Sequence, residues 1–166
     1  FKMRLLLGRT PYLDLLLSTP MSMEWKMSMP ERDRINELKR LAVVAASHSH
    51  SPYSRFRVGA AVSGRSGIVY SGCNVENASF GLTQCAERSA LTAAISAGEK
   101  PGSLDCLVLY IPGKEAHPPC GACRQVMREL MSEDSRVYSF CDTDESRSWS
   151  AADYLPDPFT PESLLK

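Results

Sequence analysis

The run LDCLVLYI, Leu104 to Ile111, holds a single charged residue, Asp105. It has the length of a strand, and a strand this continuously apolar is one buried on both faces. A chain containing it must supply helices above and below a sheet, and the flanking sequence does so. Pro30, Glu31 and Asp33 open a helix, with acids against its positive end, and Ile35, Leu38, Leu41, Ala42 and Ala45 recur at helical spacing. Pro52 disfavours helix at Ser51. RVGAAVS and GIVYSGCNV read as two strands joined by a turn at Gly64–Gly67, followed by a polar loop, NVENASFGLTQ. A helix is predicted from about Cys85 to Ala97, stopped by Gly98, and another from near Cys120 to about Met131. RVYSFCD is a further strand, and SWSAADYLP and PESLL close the chain with a short strand or loop and a short helix. Helices alternating with buried strands give an α/β fold, one mixed sheet with helices on both faces.

At 166 residues the chain is most simply one domain. Its 19 basic and 19 acidic side chains balance, so no overall field attracts a polyanion, which argues against a nucleic-acid polymer as partner. The leucine runs of residues 1–29 are split by Gly8, Arg9, Pro11 and Asp14, too broken for a membrane span and poor as a secretory core. Residues 1–29 are therefore set apart as an N-terminal extension, whether disordered, targeting or non-native, and 30–166 as the folded domain. Six cysteines without a secretory signal fit a reducing, cytoplasmic setting better than three disulfides.

Two of the cysteine stretches carry chemistry. Cys120-Gly121-Ala122-Cys123 alone is ambiguous between a redox pair, half a zinc site and two buried thiols acting as small hydrophobes. Cys85 alone says less. Both, however, sit where a strand gives way to a helix, and unpaired N–H groups at a helix N-terminus stabilise thiolates. Two such ends side by side would bring three thiolates together, and three protein ligands with one open position is the arrangement of a catalytic zinc. Glu87, two residues from Cys85, is placed for general acid–base work; its plainer reading is a first-turn acid complementing the helix dipole. Arg88 can withdraw charge from thiolate sulfurs; its plainer reading is a surface cation. A structural zinc module would need a fourth ligand, but Cys73, Cys106 and Cys141 fall in strand-like runs where buried free thiols are expected. His48, His50 and His117 read as solvated loop side chains.

The assembled pattern, C-A-E followed by P-C-x-x-C, resembles the zinc-deaminase signature. TQCAERSAL and PPCGACRQVM resemble the cytidine deaminases, in particular the small class with three cysteine ligands. SPYSRFRVGAAV and GCNVENASF are similar to that family's substrate-binding segments and YLPDPFTPESL to its C-terminal tail. The resemblance implies a three-layer α/β/α sandwich around one mixed five-stranded sheet. It also implies Zn2+ held by Cys85, Cys120 and Cys123, and Glu87 as the catalytic proton shuttle with Arg88 behind the ligands. The activity it implies is hydrolytic deamination of cytidine and deoxycytidine to uridine and deoxyuridine plus ammonia by zinc-activated water, in pyrimidine salvage. Substrate would be held by Phe56, Asn74, Glu76 and Ala86, with Asn74 and Glu76 accepting from the sugar hydroxyls. Phe159 would cover the base from a neighbouring subunit of a homotetramer. Arg57 stands where many members have proline, Phe80 where many have tyrosine, and Pro118 where a small residue is common.

Overall fold

A computed structural model of the chain describes residues 30–164; the N-terminal extension lies outside the described residues. Five strands form one sheet in the order β2-β1-β3-β4-β5: β1 (Gly59–Gly64), β2 (Val69–Cys73), β3 (Leu104–Tyr110), β4 (Met131–Phe140) and β5 (Ser146–Ser150). β3 and β4 are parallel and the other neighbours antiparallel, so the sheet is mixed. The apolar run that opened the sequence argument is the central strand, β3. Its Cys106, Val108 and Tyr110 pack with Leu38, Ala42 and Ala46 of helix α1 (Glu31–Ser47) on one face. Its Leu107 and Leu109 pack on the other face with residues of α2 (Ala86–Ser96), α3 (Gly121–Leu130) and α4 (Ala151–Tyr154). The three layers follow from a strand that has no polar side to expose.

Two glycines set how closely the layers approach. A Cβ on Gly59 would stand 1.9 Å from the Ala42 carbonyl oxygen of α1. One on Gly72 would stand 2.5 Å from the Ala90 amide of α2. Helix backbone lies directly on sheet backbone at both points, which no residue with a side chain permits. α2 ends as expected at Gly98, with φ of 102°; the Glu99 amide donates to Ala94 O at 3.1 Å and the Gly98 amide to Ile95 O at 3.0 Å, the paired bonds of a Schellman motif.

Three elements differ from the sequence reading. Arg57 and Val58 precede the strand rather than begin it, because the Asn74 side chain takes the place of a ladder partner there. Its Nδ2 donates to Phe56 O at 2.7 Å and its Oδ1 accepts from the Val58 amide at 2.8 Å. β4 begins at Met131, not near Arg136, since its inward positions Ser132 and Ser135 are small and polar and give no apolar alternation. NVEN is no free loop either: Val75 exchanges both backbone hydrogen bonds with Gln84 at 2.9 Å, while His50 pairs with Asn74 and Glu76.

Strand direction then places the chemistry. Cys73, Gly59 and Tyr110 are aligned across β2, β1 and β3 at one edge of the sheet. The chain leaves β2 and β3 at that edge, and each exit leads to the start of a helix, α2 or α3.

Candidate active site

Cys85 and Cys120 are the N-cap residues of α2 and α3, both with extended backbone, and neither thiol is used to cap its own helix. The sulfurs are thus free to turn toward each other. Cys85 Sγ lies 3.9 Å from Cys120 Sγ, which lies 3.5 Å from Cys123 Sγ, one turn into α3. All three fall within 4.8 Å of one another, and no fourth protein ligand joins them among the described residues. Tetrahedral bonds of about 2.3 Å to a common ion separate sulfurs by about 3.8 Å, so this donor set fits a thiophilic metal with one position left open. The sulfurs share a field: the neighbouring Cys123 thiol, with Arg88 assisting and burial opposing, pulls Cys85 down to about 5. Cys123 is correspondingly held up by its bond to Cys85 and by burial.

The approach to Cys120 is tied to the sheet. The Tyr110 hydroxyl donates to Asp142, whose Oδ2 accepts from the Gly113 amide at 2.8 Å; Thr143 donates to Lys114 O at 3.2 Å, and Glu145 accepts from the Ala116 amide at 3.3 Å.

Glu87, in the first turn of α2, is 5% exposed, and burial raises its pKa, with the Cys85 charge acting the same way. A carboxyl in that setting holds its proton more tightly than a solvated one and can both take and return it. Arg88 donates from Nη2 to Thr83 O at 2.9 Å and approaches Cys85 Sγ at 3.7 Å, so it anchors the segment before the helix and draws charge from one sulfur.

Above the thiols opens a cleft of about 360 Å³, and Phe56, Asn74, Glu76, Ala86 and Glu87 all line it with Cys85 and Cys120. The sequence reading of Asn74 needs correction in one respect. Its Oδ1 already accepts from Ser49 Oγ at 2.5 Å and from the Val58 amide, so both lone pairs are filled and it is not an acceptor for a sugar hydroxyl. With one Nδ2 hydrogen spent on Phe56 O, it retains a single donor. Glu76 keeps acceptor capacity: Oε2 takes the Tyr53 and Ser54 amides at 2.9 and 3.2 Å, and Oε1 takes only the Ser54 hydroxyl. Those bonds, the Ser54 hydroxyl first, hold its carboxyl below the usual range, so it is an anion. The pair offers one donor and one acceptor side by side.

His117 is the residue that sequence reasoning missed. It is an exposed loop side chain as expected, but it also lines the cleft and meets the Phe56 ring edge-on, centroids 5.6 Å apart. Its only signal was its place three residues before Cys120. Phe159 does not reach this cleft. It is 58% exposed, and its carbonyl is held at 2.7 Å by Gln125 on α3.

The model for the cytidine and deoxycytidylate deaminase zinc-binding region matches residues 32–140. The chain belongs to that deaminase family. A cytidine deaminase of Halalkalibacterium halodurans is 42% identical over 123 residues, which is 74% of this chain and 92% of that protein. One of Mycobacterium tuberculosis is 39% identical over 136 residues, 82% of this chain and 96% of that protein. The crystal structure of a cytidine deaminase from Burkholderia pseudomallei superimposes with a TM-score of 0.73 at 42% identity, over 79% of this chain and all of that one. The deaminase fold and the three-cysteine centre therefore occur together in this chain.

Proposed function

We propose that this deaminase hydrolyses cytidine and deoxycytidine to uridine and deoxyuridine, releasing ammonia, as a step of pyrimidine salvage. The observation that carries the reading is that one cleft is lined by both kinds of group. These are Cys85, Cys120 and the buried Glu87 carboxyl, which we take as its floor, and Asn74 with Glu76, a donor–acceptor pair suited to a sugar. Zinc held by Cys85, Cys120 and Cys123 would supply Lewis acidity toward water at the floor. Glu87 takes one proton from the water and passes it to ring N3 as the water oxygen bonds to C4. It then takes the second proton from that C4 hydroxyl and gives it to the amine, which leaves as ammonia. Asn74 donates to a sugar oxygen and Glu76 accepts from a sugar hydroxyl, fixing the base over the floor. Phe56 and His117 supply ring surface along the wall. Because Glu76 is an anion, it disfavours a phosphate next to the sugar, so the nucleoside is the substrate rather than the nucleotide. Incubation with cytidine, deoxycytidine and their monophosphates should release ammonia from the first two. Turnover of the monophosphates alone would overturn the assignment.

The assembly is proposed on surface grounds. Phe80 and Leu82 are 75% and 70% exposed, and Tyr53 sits edge-on to Phe80 near the cleft. So much apolar surface around an open site suits burial against copies of the same chain, and we infer a homotetramer in which Phe159 closes a neighbour's cleft. Co-expression of Glu87→Gln with Phe159→Ala tests it. Random mixing leaves about a quarter of sites with both residues intact when they come from different chains, so activity returns that neither variant has alone. Absence of rescue in verified mixed assemblies would remove the shared site. Among the described residues no helix is long and apolar enough to cross a membrane, and three thiols that must stay reduced suit the cytoplasm.

A further inference from the structure

The wall that presents Glu76 to the cleft has an outer side, and that side is itself concave. Ser49, His50, Ser51, Pro52, Arg55 and Arg57 line a second cavity of about 360 Å³, which contains no acidic side chain. Phe56 lines the cleft while its two neighbours, Arg55 and Arg57, line this cavity. Arg55 reaches that side through a φ of 58°, uncommon for a residue with a long side chain, in a turn closed by its amide on Ser51 O at 3.0 Å. Arg34, Arg40 and Arg128 each pair with a carboxylate, whereas among the described residues none pairs with Arg55 or Arg57. Two free guanidinium forks, a histidine and serine hydroxyls thus converge on one hollow.

We propose that this hollow binds a phosphate-bearing small anion, either free phosphate or the phosphate chain of a nucleotide, at a site separate from the catalytic cleft. Planar guanidinium groups match phosphate oxygens two at a time, and a concave surface keeps both forks on one ligand. Neutral overall charge does not oppose this, since the attraction is local and within a Debye length.

The test is calorimetric titration of the full metal-loaded chain at low salt with inorganic phosphate, AMP and ATP, beside the Arg55→Gln/Arg57→Gln double variant. Expected is saturable binding of at least one of the three, weakened about tenfold or more in the double variant, while cytidine turnover and the number of subunits in the assembly are unchanged. Binding by phosphate alone assigns a free-phosphate site; binding only by AMP or ATP assigns a nucleotide site. No saturable binding, or binding that the double variant retains, overturns the proposal. A changed number of subunits in the double variant's assembly also overturns it, because the arginines would then hold a neighbouring copy. Since binding is read without turnover, a failed cytidine assay leaves this result standing.

Discussion

Glu87→Gln is expected to keep the fold and the bound metal and to lose about a hundred- to ten-thousand-fold or more of cytidine turnover. The amide has nearly the volume of the carboxyl, so the buried position beside Cys85 is filled without a cavity and without an unpaired charge. What it lacks is the proton traffic. A glutamine cannot accept a proton from water or deliver one to ring N3, and both transfers are assigned to this one side chain. The upper end of the range applies if both steps limit the rate. Circular dichroism and zinc analysis should match the parent, so that the loss appears in uridine formation alone. Turnover within a few-fold of the parent would remove Glu87 from the mechanism.

Cys120→Ala is expected to lose the metal and, with it, all activity. Parent protein should contain about one zinc per chain by elemental analysis and the variant only a small fraction of that, because two thiolates make a far weaker site than three. Cys120 is the informative choice. It is exposed, whereas Cys123 is fully buried, so its removal leaves no hole in the core to confuse the result. The reverse experiment is oxidation. Cys120 Sγ and Cys123 Sγ already lie 3.5 Å apart, so oxidant should join them and abolish activity, and reductant with zinc should restore it. Fully active protein with that disulfide intact would show that the three sulfurs do not act as ligands.

The parts of this molecule that were legible in advance are those in which one physical demand dominates. LDCLVLYI has no polar face and so had to be central; Gly98 stands where only a left-handed cap ends α2; three thiols at two helix starts suggested one ion. What escaped is cooperative. SEDS of β4 reads as loop because it spans an irregularity in the ladder, between the Leu104–Met131 and Cys106–Arg136 pairs, where its own side chains give no alternation. The sequence does not show that the lone pairs of Asn74 are filled by Ser49 and the Val58 amide, partners 25 and 16 residues away, leaving it a donor toward the cleft. His117 needed the path of the 111–119 loop, set by Asp142, Thr143 and Glu145 from the far end of β4, before its ring could be seen to face the cleft.

Cys85 and Cys120, the two proposed ligands at the starts of different helices, are 35 residues apart in the chain. An ion shared between them closes a ring through α2, β3 and the loop that follows. In chain-entropy terms, a cross-link of that span removes freedom from the unfolded ensemble worth on the order of 4 kcal/mol. That is a large fraction of what holds a domain of this size together. The catalytic centre is then also a fastener, and chelation attacks catalysis and thermal endurance with one stroke. Inactivation by chelator at elevated temperature therefore reports unfolding as much as lost chemistry, whereas the glutamine variant at position 87 keeps the fastener closed and isolates the chemistry.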